Sequence, residues 1–176
     1  MNIATTARLS VDWLTPGDAD FIVRLLNDPQ WLAFIGDKAV HTHSDALSYL
    51  KAGPLDMYDR LGHGLYRVSL RADHPHDDTP IGLCGLVRRD GLDGPDLGFA
   101  FLPAGRGRGY ALEAAQAVVQ HGFSTLALPR ILAVTLAHNQ RSCHLLERLG
   151  MTVQRAVRVP ADGPDKLLYA LDNPRV

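Results

Sequence analysis

The sequence predicts a mixed α/β fold: one domain with a central, largely antiparallel twisted sheet, a parallel β-α-β crossover and flanking helices. Three observations carry this. The 176 residues suit one domain with one sizeable core. Apolar runs at 65–70, 81–87 and 97–102 follow one another across loop or turn signals, as antiparallel strands do. A further strand pattern at 131–136 is reached from the third run only through a long helix, and such a crossover sets two strands parallel.

Residues 8–14 alternate in polarity and read as a first strand. Asp18 can cap a helix running to about Leu26, with Pro29 beyond its end. Residues 31–40 are partly apolar and aperiodic. Ser44 or Asp45 opens a second helix towards Lys51, which Gly53-Pro54 is expected to break before a short helical turn at 55–61. Residues 73–80, with Pro75 and Pro80 among aspartates, read as an exposed loop. Asp90-Gly91 and Asp93-Gly94-Pro95 mark a hairpin between the strands at 81–87 and 97–102, and Pro103 ends the second of these. After the glycine-rich turn at 105–109, Leu112, Ala115, Val119, Phe123 and Leu126 recur at helical spacing until Pro129. The strand at 131–136 follows. Asn139 then caps a short helix whose Leu145, Leu146 and Leu149 face the core, and Gly150 ends it. Two last strands, at 152–159 and 166–171, flank a Gly-Pro loop.

Composition excludes some functions. Eighteen basic residues against nineteen acidic ones argue against a general binder of nucleic acid or anionic membrane, while leaving room for a local basic patch. No apolar run approaches the ~20 residues of a membrane span. The first residues lack a signal-peptide pattern, so a cytoplasmic protein is expected. Cys84 and Cys143 sit in apolar stretches and read as buried free thiols. His41 and His43, and His74, His76, Asp77 and Asp78, fit solvated turns better than ligand sets, so no metal is expected.

The turn Gly105-Arg106-Gly107-Arg108-Gly109 has the physics of a phosphate cradle. The first N–H groups of a helix have no partner, and the helix dipole leaves partial positive charge there. Glycines let an anion approach the backbone closely, and Arg106 and Arg108 add charge. The Walker pattern fails, because no Gly-Lys-Ser/Thr follows. The dinucleotide pattern fails too: the required third glycine is Tyr110 or Leu112, depending on the starting residue. What remains is Arg106-x-x-Gly109-x-Ala111.

This motif resembles the acyl-CoA signature of the GNAT acyltransferase superfamily. The longer stretch Pro103-x-x-Arg106-Gly107-x-Gly109-Tyr110-Ala111-x-Glu113-Ala114 is similar to the branch of ribosomal-protein N-terminal acetyltransferases. So is Asn139-x-x-Ser142 followed by Leu145-Leu146-Glu147-Arg148-Leu149-Gly150-Met151. The resemblance is strong in the C-terminal half and loose in the N-terminal half. It implies an acetyl-CoA-dependent N-acetyltransferase with a donor-binding half at about 81–151 and an acceptor-side half at about 1–80.

The resemblance further implies that pantetheine pairs along Phe99, Ala100, Phe101 and Leu102 like an added strand. The pyrophosphate then sits on Arg106, Gly107, Arg108, Gly109, Tyr110 and Ala111, with Asn139 and Ser142 facing the same ligand from their helix end. Glu113 is expected to point aside. N–H groups near Phe101 would polarise the thioester carbonyl. Many relatives protonate the departing thiolate with a tyrosine; here that position is Leu146, and Ser142 is the substitute. Neutralising a lysine-like amine at pH 7 costs about 4–5 kcal/mol, and an α-amine roughly 1 kcal/mol. Asp96 is the candidate base or amine anchor, acting through water. Trp31, Phe34, Tyr49 and Tyr58 are candidates for the acceptor pocket. The acceptor is an amine of a protein N-terminus or a small molecule, and the protein is expected as a monomer or homodimer. Alternatives are another acyl donor such as succinyl-CoA, a non-catalytic CoA-binding module, and a nucleotide-binding domain. A basic residue facing the acyl pocket would favour succinyl-CoA.

Overall fold

The computed structural model describes residues 1–71 and 79–176. Eight strands form one sheet: β1 (Asn2–Thr5), β2 (Leu9–Trp13), β3 (Leu65–Leu70), β4 (Pro80–Val87), β5 (Asp96–Phe101), β6 (Arg130–Thr135), β7 (Thr152–Arg158) and β8 (Asp165–Asp172). Their spatial order is β1-β2-β3-β4-β5-β6-β8-β7. Every neighbouring pair is antiparallel except β5 and β6. The helix between those two, α5 (Tyr110–Ser124), is the expected crossover.

The helices before β3 are α1 (Ala19–Leu26), α2 (Pro29–Phe34), α3 (His43–Leu50) and α4 (Asp56–Leu61); α6 (Gln140–Arg148) precedes β7. Two apolar clusters hold the layers together. One joins Ala114, Ala115 and Val118 of α5 to Tyr66, Leu86 and Ile131 of the sheet. The other joins Phe21, Ile22 and Leu25 of α1 and Leu50 of α3 to Leu14 and Leu83. Each fully buried Leu or Ile contributes about 1.5–3 kcal/mol. Cys84 and Cys143 are buried free thiols. No helix of the described residues is long and apolar enough to cross a membrane.

The structure corrects the local reading in four places. Asn2–Thr5 is an additional strand: polar on half its length, it pairs only at the sheet edge, so it carries no strong apolar signal. The aperiodic stretch that begins at Trp31 is helical in its first part: Pro29, beyond the end of α1 as expected, opens α2, whose first turn is capped by the Asp28 carboxylate accepting from the Gln30 N–H at 3.0 Å. Asp18 does not cap α1 through its own carboxylate, which accepts from the Thr15 N–H at 2.7 Å and closes a 3₁₀ turn instead. Gly53-Pro54 does not break the chain's helical course: Lys51–Leu55 form a π turn that carries α3 directly into α4, with Pro54 buried. A π turn absorbs a residue that cannot donate its amide, and burial of Pro54 itself offsets part of the cost.

Candidate active site

The site begins as a fault in the sheet. β4 and β5 pair at six successive positions, from Val87↔Asp96 to Gly82↔Phe101. β5 and β6 pair only at Asp96↔Leu132, beside a Leu132 N–H bond to the Pro95 carbonyl at 2.8 Å. Beyond that point β6 follows β8, paired from Arg130↔Asp172 to Thr135↔Leu167. In an antiparallel ladder, successive residues turn their backbone groups to opposite sides. The Leu102 N–H bonds the Ile81 carbonyl at 2.8 Å. This register directs Ala100 towards β4 as well, and turns Phe99 and Phe101 towards the side that β6 has left. The expected exposed strand edge is therefore present.

A cavity of about 450 Å³ fills the opening, within the range of small-molecule sites. Phe99 and Ala100 line one wall, and Val134 and Thr135 of β6 the other. Asn139, Ser142 and Leu146 of α6 close one side. Asn139 caps its helix by accepting from the Ser142 N–H at 3.3 Å, while its side chain also borders the cavity. The Ser142 hydroxyl, half-buried, has no hydrogen-bond partner among the described residues.

Trp31, Phe34, Tyr49 and Met57 enter from the helical segment before β3. Trp31 is fixed by its indole N–H donating to the Gly36 carbonyl at 3.1 Å, and the Phe34 ring lies 5.9 Å from that of His138. Burial raises the Tyr49 phenol above its ordinary pKa, against the opposing pull of Arg89.

Tyr58 is elsewhere. Its ring stacks between Trp13 at 4.2 Å and Tyr66 at 5.8 Å. Its hydroxyl accepts from the Leu14 N–H at 3.0 Å and donates to the Leu65 carbonyl. It is core rather than acceptor pocket, because Trp13 and Tyr66 compete for its ring. Phe101 and Leu102 likewise turn their side chains into apolar clusters, leaving only backbone for a ligand.

Asp96 is not at the cavity surface either. It is 1% exposed and ion-paired with the Arg89 guanidinium, which does line the cavity. Burial raises the Asp96 pKa while Arg89 pulls it down. A carboxylate behind Arg89 holds that arginine in position; it has no direct path to an amine. Arg88, Arg89, Lys38 and Lys166 also reach the cavity, and the sequence reading did not place them there. They arrive from two hairpins and a loop, so no local spacing joins them. The Arg88-Arg89 pair beside a hairpin is the only sequence cue.

The glycine-rich turn lies past the far end of β5. Gly107 and Gly109 have φ of 72° and 79°, the left-handed region that favours glycine. Gly109 is the residue before α5 and has no side chain to cap it. The first-turn N–H groups are thus presented to the loop without a side-chain acceptor. Glu113 does point aside: it accepts from the Thr6 hydroxyl at 2.6 Å and from the Arg8 N–H and Nε at 3.0 and 2.7 Å. Arg8 also donates to the Arg108 carbonyl at 2.9 Å and lies 4.5 Å over the Tyr110 ring. Arg106 is drawn away from the loop into an ion pair with buried Asp28. Of the two arginines expected to face phosphate, only Arg108 is exposed and without a side-chain partner among the described residues.

Of the histidines, the His41 ring bonds Asn27 at 3.0 Å and the His43 ring bonds Asp20 at 2.7 Å. His74, His76, Asp77 and Asp78 lie outside the described residues.

Residues 8–152 match the family model described as an acetyltransferase (GNAT) domain. The uncharacterized N-acetyltransferase YnaD of Bacillus subtilis (strain 168) is 27% identical over 147 residues, 84% of this chain and 81% of its own length. The ribosomal-protein-S5-alanine acetyltransferase from Vibrio fischeri superimposes with a TM-score of 0.79 at 16% identity, over 99% of this chain and 97% of that one. The spermidine N-acetyltransferase from Vibrio cholerae, solved in complex with CoA and spermine, gives 0.77 at 16% identity, over 96% and 97%. A sheet opened between β5 and β6, a glycine-rich turn into α5 and a family match over most of the length agree: this chain belongs to the GNAT acetyltransferase family.

Proposed function

We propose that this protein transfers the acetyl group of acetyl-CoA to a primary amine. The observation that supports it most is the continuity of three features. The open edge of β5 leads from the cavity to the glycine-rich turn, and α6 presents Asn139 and Ser142 to the same opening. The residues fit the pyrophosphate of CoA: left-handed glycines, uncapped helical N–H groups and exposed Arg108 form the cradle. When bound, the CoA thioester supplies the activated acetyl group.

In this reading the chain does four things. The backbone edge at Phe99 and Phe101 holds the pantetheine arm as an added strand. N–H groups on that edge polarise the acyl carbonyl. The Ser142 hydroxyl hydrogen-bonds the departing sulfur. The cavity wall from Trp31, Phe34 and Tyr49 excludes water and packs the acceptor. Residues up to about 80 then form the acceptor-side half, and 81–151 the donor half. The patterns at 103–114 and 139–151 support the ribosomal-protein N-terminal branch, whereas the neighbours of similar fold include a spermidine enzyme as well.

A second reading keeps the scaffold and changes the donor. Basic side chains in the cavity favour an acyl group that carries its own carboxylate, such as succinyl. Thiol release from acetyl-CoA and succinyl-CoA, measured with a panel of primary amines, tests both. Amine-dependent release from acetyl-CoA is the expected result. Release only from succinyl-CoA replaces the donor, and CoA binding without release from either leaves a non-catalytic module.

A further inference from the structure

The acceptor side of the cavity has a one-sided charge. Lys38, Arg88, Arg89 and Lys166 reach it, and among the described residues no Asp or Glu lines it. Asp96 lies behind the wall and offsets one of these charges through Arg89. The four belong to separate parts of the chain: Lys38 to the loop after α2, Arg88 and Arg89 to the hairpin just after β4, and Lys166 to β8. Lys166 is tied down by donating to the Val159 carbonyl at 2.7 Å. Burial, then the charges of Arg89 and Lys38, hold its ammonium below its ordinary pKa, so these groups share one field.

This field is not part of the phosphate cradle. Arg89 pairs with Asp96, the first residue of β5, while the glycine-rich turn follows the last. Six strand residues separate them, roughly 16 Å at the usual rise. The cations therefore face whatever enters opposite the CoA phosphates. Beside them stand Trp31, Phe34 and Met57, an apolar wall.

Resting on the acetyltransferase reading above, we infer that the acceptor is a small primary amine carrying a carboxylate next to an apolar or aromatic body, with Lys166, Arg88 and Arg89 holding the carboxylate. A polyamine is the wrong partner, since each added ammonium would meet like charge at a partly dehydrated site. A carboxylate gains charge-assisted hydrogen bonds from the same groups. Its amine, one carbon from the carboxylate, is left directed towards the opening between β5 and β6.

The test is calorimetric titration of the CoA-loaded protein with N-acetyl-L-phenylalanine, N-acetyl-L-phenylalaninamide and N1-acetylspermidine, paired with transfer rates to L-phenylalanine, L-phenylalaninamide, spermidine and an uncharged N-terminal peptide. The acid is expected to bind about tenfold more tightly than the amide. Lys166→Gln, at a half-buried position, and Arg88→Gln, at an exposed one, should each narrow that difference, and the free acid should be the better acceptor. Equal binding of acid and amide, no binding of either, or a preference for the polyamine or the peptide overturns the inference. So does faster transfer to the amide from succinyl-CoA than from acetyl-CoA, which would assign the cations to the acyl group. A protein that does not bind CoA in the loading step fails the parent reading instead, and the same acid and amide titrations on the free protein still decide the anion site.

Discussion

Ser142 is the residue on which the proposed chemistry turns. Its hydroxyl borders the cavity and has no partner among the described residues, while its backbone N–H serves the helix cap. Removing the hydroxyl leaves that cap intact. Ser142→Ala should therefore lower kcat by about ten- to a hundredfold while changing the KM for acetyl-CoA much less. Steady-state kinetics at saturating amine reads this, and an unchanged kcat removes Ser142 from the reaction. Residues carried by short local motifs were legible in the sequence: Phe99, Ala100, Asn139 and Ser142 all line the opening. Side chains whose role depends on tertiary partners were not. Tyr58 is taken by Trp13 and Tyr66, Arg106 by Asp28, and Asp96 by Arg89. Lys38 and Lys166 meet only after the chain has folded, so no spacing announces them.

At the scale of elements, the glycine-rich turn and α5 are held by the first strands. Thr6 and Arg8, which flank the turn between β1 and β2, bind Glu113 in the first turn of α5, and Arg8 binds the Arg108 carbonyl. Partial burial alone would raise the Glu113 pKa, but hydrogen bonds from Thr6 and Arg8 hold it below its ordinary 4.5. A depressed carboxylate contributes stability above its unfolded pKa, and that contribution is lost as pH falls through the folded value. Glu113→Gln should cost about 1–2 kcal/mol at pH 7. Its stability should also fall less steeply than the parent's as pH drops below 4.5. Denaturant unfolding at several pH values checks both parts, and parallel curves would deny Glu113 this role. Gly109→Val acts one residue before α5. Its backbone is left-handed, and a Cβ there would sit 3.4 Å from Arg8 Nη2. The substitution should abolish CoA binding and leave a folded protein, a pair of outcomes read by calorimetry and circular dichroism. Undiminished CoA affinity would take the pyrophosphate off this turn. The same scale shows why β1, α2 and the π turn escaped the sequence reading. Each is stabilised by its neighbours rather than by its own pattern: an edge pairing, a cap from Asp28, and burial of Pro54.

The whole molecule is a sheet that comes apart at one place. The antiparallel run from β3 to β5 and the parallel crossover through α5 were legible, because alternation, helical period and the glycine-rich turn all agree there, whereas the spatial order β1-β2-β3-β4-β5-β6-β8-β7 was not. That the strand at 97–102 offers a free edge to pantetheine was expected from the resemblance alone; no residue pattern states where β5 and β6 separate. β6 keeps six pairings with β8 on its other edge, while its edge towards β5 pairs at one position only. In the proposed function this separation and the turn beyond it bind acetyl-CoA. Thermal unfolding of the parent protein with acetyl-CoA, NAD and ATP in turn tests it most directly. Acetyl-CoA at 100 times its dissociation constant should add about 2.7 kcal/mol to the native state, while NAD and ATP leave the transition where it was. An unmoved transition with acetyl-CoA, or a larger shift with NAD or ATP, would mean that the opening and the turn do not hold acetyl-CoA.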